Sequence, residues 1–295
     1  MTPSEVQGLG DWLDGGFLFA GAAVFALEIL RGVQARTLSS RLWLDMLASV
    51  SSQVPYLLVE ALLLGAVYLG YIALAETVVF WTLPLSAWTV AVAVLACDFL
   101  YYWEHRLSHE LRLLWTQHAV HHSSRFMNVS VAVRFGPFEG VVSAVVHLPL
   151  ILLGFPPVVV FFGILVVLAY QTWIHTETIG RLGWLDRVFN TPSNHRVHHG
   201  CDPKYLDRNY GGILMVWDHL FGTYQAEEET PRYGLKRAFS SVHPLKVWFS
   251  ELPGLLRDLR AVRSTRDLAR VLFAHPARSA PAPGPDPLGL PSGGR

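Results

Sequence analysis

Four stretches of this chain are apolar enough to enter a lipid bilayer, and they narrow its architecture to a helical membrane bundle. The first runs from Gly16 to Leu30 and carries Glu28. The second covers Val54–Leu74 with Glu60 inside it, and the third covers Leu83–Trp103 with Asp98 near its end. The fourth is a pair, Gly136–Leu153 and Pro157–Ile174, parted by Gly154-Phe155-Pro156. A spanning helix needs about 20 apolar residues, so the second and third qualify. The first holds only about 15, and both an interfacial segment and a span stay open for it. The pair reads as a helical hairpin turning at its Gly/Pro punctuation. About four transmembrane or re-entrant helices are expected in an all-α fold.

Charge agrees with that reading. Only 16% of the 295 residues are charged, against about 25% in an average soluble domain, and the mean hydropathy is +0.33. The formal net charge is zero, which leaves no electrostatic case for nucleic acid. Cys97 and Cys201 imply no disulfide framework. Glu5, Asp11 and Asp14 in a first segment without basic residues argue against a cleaved signal peptide. Arg31, Arg36 and Arg41 follow the first stretch; Arg106, Arg112, Arg125 and Arg134 follow the third; Glu76 is the only charge between the second and third. Under the positive-inside rule both Arg-bearing segments face the cytoplasm.

Nine of the thirteen histidines form four clusters inside a 95-residue span: His105 and His109; His118, His121 and His122; His175; and His195, His198 and His199. On a helix, residues three and four apart share a face. H-x-x-x-H once and H-x-x-H-H twice therefore offer three imidazole stripes. Neutral imidazole is the commonest protein ligand for first-row transition metals. One H-x-x-x-H arises often by chance on an exposed helix, but the three motifs together do not. Nine imidazoles exceed what one ion can use, so a two-metal centre is expected. The hairpin returns the chain to the cytoplasmic side, which lets His175 and His195–His199 join the earlier clusters. Nitrogen ligation suits Zn, Cu, Fe or Ni alike.

Asp98 lies seven residues before His105, on roughly the same helical face, and Glu110 directly follows His109. Either could hold a histidine ring by its second nitrogen, although Glu110 reads equally well as a solvated charge. His147 sits in the apolar hairpin as a satisfied membrane histidine or a pathway residue. His219 could support the site, and His243 and His275 are given no role. Pro244–Phe273 reads as helical and mixes leucines with Arg257, Arg260, Arg263, Arg266 and Arg270. A basic amphipathic helix there could lie on anionic lipid or pack as a surface helix. Pro276–Arg295 holds six Pro and four Gly and is expected to be disordered.

Asp98-Phe-Leu-Tyr-Tyr-Trp-Glu-His105-Arg-Leu-Ser-His109 resembles the first motif of the fatty acid hydroxylase superfamily, also called the sterol desaturase family. His118-Ala-Val-His121-His122 is similar to its second motif and Asn194-His195-Arg-Val-His198-His199 to its third. Asp207-Arg-Asn-Tyr-Gly-Gly212 and Trp217-Asp-His-Leu-Phe-Gly-Thr223 resemble its closing signature. Ile174–Glu177, Asn190–Ser193 and Tyr233–Leu235 are similar to its ether-lipid branch, from which Asn194 departs, since that branch has His there. The resemblance implies a membrane enzyme with a cytosol-facing, histidine-ligated pair of iron ions. It implies that O2 and two electrons are used to hydroxylate a lipid C–H bond, or to desaturate it on the same centre. His105, His109, His118, His121, His122, His175, His195, His198 and His199 would be the ligands, with Asp98, Glu110 and Asn194 close by as catalytic residues. Residues 1–80 would hold N-terminal membrane helices, 81–250 the catalytic domain with its histidine-rich cytosolic cap, 251–273 the basic helix and 274–295 the tail. The chain shows no cytochrome b5 domain, flavin fingerprint or ferredoxin cysteines, so a separate electron-donor protein or reductant is expected. Sterols, fatty acyl chains, ether lipids and carotenoids all stay open as substrates. From another class, a haem protein with two axial histidines or a non-catalytic zinc-binding membrane protein would leave most of the nine unexplained.

Overall fold

The computed structural model describes residues 1–236 and 239–276. Among these there is no strand, only two isolated bridges, Phe189 to Leu214 and Gly200 to Tyr233. The helices are α1 (Pro3–Ala35), α2 (Ser40–Ser51), α3 (Gln53–Thr77), α4 (Ala87–Glu110), α5 (Arg112–His121), α6 (Glu139–Leu152) and α7 (Pro157–Tyr170). They continue with α8 (Leu185–Val188), α9 (Pro192–His198), α10 (Val216–Phe221), α11 (Pro244–Trp248), α12 (Leu252–Arg260) and α13 (Thr265–Phe273). Two 3-10 turns, Val129–Val133 and Gln171–Ile174, flank the α6–α7 hairpin.

Three helical runs are long and apolar enough to cross a bilayer: Pro3–Ala35, Ser40–Thr77 and Pro157–Ile174. The first is longer than the apolar stretch read from the sequence. Its 33 residues extend about 50 Å at 1.5 Å per residue. The helix starts well before the apolar run because Thr2 and Glu5 form a reciprocal cap with Pro3 at the first turn. Conversely, α4 is 24 residues long but is not among the three. Its C-terminal half carries Asp98, Glu104, His105 and His109. Phe19 and Leu62 are 78% and 77% exposed, an apolar outer surface that suits lipid better than water.

α4 is the central helix and packs against α5, α6 and α7, with α1 on the far side of α7. α7 comes close because Gly163 has no side chain: a Cβ there would stand 2.6 Å from Cys97 Sγ. Small residues at such a crossing are how membrane helices gain contact. The α6–α7 hairpin turns as expected, with Gly154 at φ 86, a left-handed conformation that glycine adopts without strain.

Two long-range contacts tie α1 and α2 to segments beyond α5. Glu28 of α1 accepts hydrogen bonds from Thr176 Oγ1 (2.5 Å) and Val129 N (3.1 Å). Asp45 of α2 pairs with Arg134 at 3.0 Å, and Arg134 also donates to Val120 O and Ser123 Oγ. In sequence Arg134 reads as one of the cytoplasmic loop charges. It is instead wholly buried, which is tolerable only with such partners. The single basic helix expected after residue 250 is two, α12 and α13, divided where Ser264 caps the second. The expected disorder of the tail falls on residues 277–295, outside the described ones.

Candidate metal centre

The nine histidines converge and sort into two groups. His105, His109, His118, His122 and His198 form one; His121, His175, His195 and His199 form the other. Within each group one nitrogen per ring lies within 4.8 Å of every other, and all nine residues are buried. Each H-x-x-H-H motif is shared. His118 in α5 and His122 at its C-terminal cap face the first group while His121 faces the second; His195 in α9 and His199 at its C-terminal cap face the second while His198 faces the first. Adjacent helical positions point about 100° apart, which is the geometry needed to serve two centres from one helix.

The donor set fits metal ions. His105, His121, His175 and His198 turn Nδ1 toward backbone carbonyls of Tyr210 (2.9 Å), Arg134 (3.3 Å), Gln171 (2.9 Å) and Arg208 (3.0 Å). A carbonyl only accepts, so those Nδ1 atoms carry the proton and the neutral rings present bare Nε2 atoms inward. Nε2 of His121 and His175 then stand 3.2 Å apart, two lone pairs that cannot bond each other but can share a cation. The spacings His105–His118 (3.0 Å), His122–His198 (3.0 Å) and His195–His199 (3.1 Å) repeat the pattern. Imidazoles bound at about 2.1 Å and at right angles on a first-row ion put their nitrogens about 3.0 Å apart. His109 Nε2 is buried without a hydrogen-bond partner and lies within the first group.

Burial keeps these rings neutral. His118, His121, His122, His195, His198 and His199 sit well below the ordinary histidine pKa, first because they are desolvated and second because neighbouring histidines oppose a charge. His175 is lowered to about 4, mainly by desolvation.

No hydrogen bond joins the three polar residues expected beside the histidines to a histidine ring. Asp98 accepts from Ile213 N (2.6 Å), Leu214 N (3.2 Å) and Trp217 Nε1 (2.8 Å); no histidine is among its partners. Its effect on the centre runs through the backbone. Asp98, with Asp218 on Tyr210 N and Gly211 N, holds the loop whose carbonyls at 208 and 210 orient His198 and His105. Asp98→Ala is expected to cost about 3 kcal/mol by leaving three donors unpaired and to weaken metal binding by about 10–100-fold. Thermal unfolding and metal titration check both figures. Glu110 pairs with Arg106 at 2.8 Å in a half-exposed ion pair. Asn194 donates to Asp186 O (2.6 Å) and Phe189 O (3.0 Å), fastening the start of α9 to the preceding segment. His147 bonds Ser143 O at 2.8 Å outside both groups, and His219 is exposed beside Arg187 O.

Several supporting residues carry no sequence signal of their role. Arg196, inside the third motif, clamps Glu227 with two 2.7 Å contacts and donates to Thr176 O, fixing α9 against the segment carrying His175. Glu28 reaches the same segment through Thr176. Asp207 lies 3.5 Å from His109 Nδ1. Glu28 is visible in sequence as a carboxylate in an apolar run, and such groups need partners. Its partners lie 101 and 148 residues away and leave no local signal.

Residues 90–223 match the family model described as "Fatty acid hydroxylase". Over these residues the chain is similar to that family. The matched segment takes in most of α4, all of α5 to α10 and all nine histidines. The chain is 38% identical over 244 residues to human alkylglycerol monooxygenase, covering 82% of this chain and 53% of that protein. It is 40% identical over 230 residues to the zebrafish (Danio rerio) alkylglycerol monooxygenase, covering 78% and 50%. It is 37% identical over 140 residues to an ornithine lipid hydroxylase of Rhizobium tropici, covering 47% and 42%. The chain thus spans about half the length of the curated relatives it matches first. No solved structure matches it. Similarity to the monooxygenases extends beyond the family match, since 244 residues exceed the 90–223 segment.

Proposed function

We propose that this protein is a membrane di-iron oxygenase that hydroxylates a C–H bond of a lipid. The observation that carries this reading is a cavity of about 810 Å3, open mouth included, between α3, α4, α5 and α6. Its largely apolar walls include Leu114, Ala132, Phe135, Val142 and Leu168, with Glu104 and Glu139 among them, and it ends on His105, His118, His121 and His175. Those four come from both histidine groups, so an alkyl chain lying there reaches both at once. Lipid C–H bonds entering from a bilayer lose little solvation on the way, because they leave one apolar phase for another.

Two bound irons, one per histidine group, supply the power to reduce O2 and attack an unactivated C–H bond. The chain's own part is placement. α4, α5, α9 and the turn before His175 hold the nitrogens; backbone carbonyls fix their tautomers; the apolar cavity excludes water and aligns the substrate. The relatives that act on alkylglycerols and ornithine lipids support a lipid substrate and a hydroxylation outcome. We place the centre on the cytoplasmic face, from the arginines around it, and assign the electrons to a separate donor.

Product mass tests the reaction. Membranes carrying the protein, incubated with lipid extract, O2 and a reductant, are expected to yield lipid heavier by one oxygen atom. A product lighter by two hydrogens would make the protein a desaturase. No O2 uptake in iron-loaded protein with lipid would defeat both.

A further inference from the structure

The two histidine groups differ in what stands behind their rings. In the second group, His121 and His175 turn Nδ1 to the backbone carbonyls of Arg134 and Gln171, which are neutral acceptors. In the first, His109 Nδ1 faces Asp207 Oδ1 at 3.5 Å and His118 Nδ1 faces Glu139 Oε1 at 3.9 Å. Among the described residues these are the carboxylates within 4 Å of a ring nitrogen of the centre, and both serve one group. The backbone is bent to place Asp207. Its φ is 58, and Asn209 has the same value. Both sit in the left-handed region, which is costly for residues with a side chain and which Asp and Asn tolerate best. Asn209 is locked in place: its side chain donates to Asn194 O and Gln225 O and accepts from Gln225 N. Asp207 Oδ2 stands 3.4 Å from His275 Nε2. Residues 207–210 thus reach three rings of the first group: His109 through the Asp207 carboxylate, His198 through Arg208 O and His105 through Tyr210 O. Glu139 is held by Gly136 N, which donates to its Oε1 at 3.1 Å.

We infer that Asp207, with Glu139 in a smaller part, is a positioning residue that makes the two metal positions unequal: its charge behind His109 strengthens that ring as a ligand, so the ion of the first group favours its higher oxidation state. The inference rests on the reading of the two groups as iron sites. His109 Nε2 is buried without a hydrogen-bond partner, so its lone pair is free for an ion. A carboxylate beyond a ligating imidazole raises the basicity of the nitrogen on the metal and fixes the ring's tautomer. At 3.5 Å the contact is electrostatic rather than a short hydrogen bond, so charge and not shape is what Asp207 supplies. Carbonyls carry only a dipole, so the rings they orient gain less. The ion of the second group is therefore the one that takes up the first electron.

Single-ion proteins provide the test. His195→Ala leaves the first group intact, and His198→Ala leaves the second. In the first background, Asp207→Asn keeps the size of the side chain and its tolerance of a left-handed backbone but removes the charge. It is expected to weaken Co2+ binding by about tenfold or more. The iron held there should become easier to reduce, by about 59 mV for each tenfold loss of preference for Fe3+. Asp207→Gly meets φ 58 without strain and should give the same result where Asn disturbs the fold. Glu139→Gln should shift both quantities in the same direction by less. In the His198→Ala background none of the three should change Co2+ affinity or potential. Metal-free Asp207→Asn protein should melt at the wild-type temperature, because a carboxylate that is 40% exposed adds little to stability. A role in folding alone would lower that temperature and weaken both ions alike. Unchanged affinity and potential in the first background, or equal changes in both, would overturn the inference and leave the oxygenase reading in place. Single-ion backgrounds that bind neither Co2+ nor iron would remove the reading of the two groups as metal sites, and this inference with it.

Discussion

Replacing His121 with Ala is expected to remove one iron per chain, and replacing the adjacent His122 with Ala to remove the other, if each histidine group holds an iron as proposed. These two neighbours project about 100° apart from the end of α5, His121 toward His175, His195 and His199, and His122 toward His109, His118 and His198. The same division recurs on α9, so His195→Ala should copy His121→Ala, and His198→Ala should copy His122→Ala. Each single variant is expected to keep about one iron, and a double variant that takes one ligand from each group should keep less. Turnover should fall by more than about 100-fold in all four, since loss of mere supporting partners already costs about 10–100-fold. Metal analysis of the purified variants separates the groups, and circular dichroism confirms that the helices persist. If His121→Ala and His122→Ala lost the same ion, by spectrum and by stoichiometry, the division into two groups would be wrong.

Acid should destabilise the metal-free protein steeply below pH 6.5. An unfolded histidine takes up its proton near 6.5, whereas the buried ones take it up only at lower pH. Between those values the unfolded chain binds more protons than the folded one. Stability is therefore fully present above pH 6.5 and is lost as pH falls. His175, lowered to about 4, accounts for about 3 kcal/mol of that loss between pH 6.5 and 4 at about 1.4 kcal/mol per pH unit. Seven further rings of the centre, His105 among them, act in the same direction. Iron opposes the loss because it binds only the deprotonated ligands. Thermal melts at pH 8, 6.5 and 5.5, with and without iron, should show a falling midpoint for the metal-free protein and a smaller change for the loaded one. A midpoint that stays level on acidification would mean that these rings are not held neutral by burial.

Much of the centre is legible in the sequence because its ligands lie on helices, where spacing becomes direction. H-x-x-x-H and H-x-x-H-H announce stripes, and the stripes do meet. Spacing does not tell which ring joins which group, since that depends on how α4, α5 and α9 are set against one another. Asp98 shows the limit of the same rule. Its position seven residues before His105 does put it on a related face of α4, yet that face meets the loop at 213–217, and His105 Nδ1 is already taken by Tyr210 O. Glu28 and Asp45 show another limit. Each stands in a long apolar helix and so demands a partner, but Thr176 and Arg134 come from remote segments. The first helix outruns its apolar stretch because its length depends on the Thr2–Glu5 cap as well as on hydrophobicity.

The most direct test of the account is the number and coupling of irons in the purified wild-type protein. Metal analysis combined with Mössbauer spectroscopy is predicted to find two irons per chain, magnetically coupled and both ligated by nitrogen. A fully active preparation that holds one iron, or no redox metal, would contradict it.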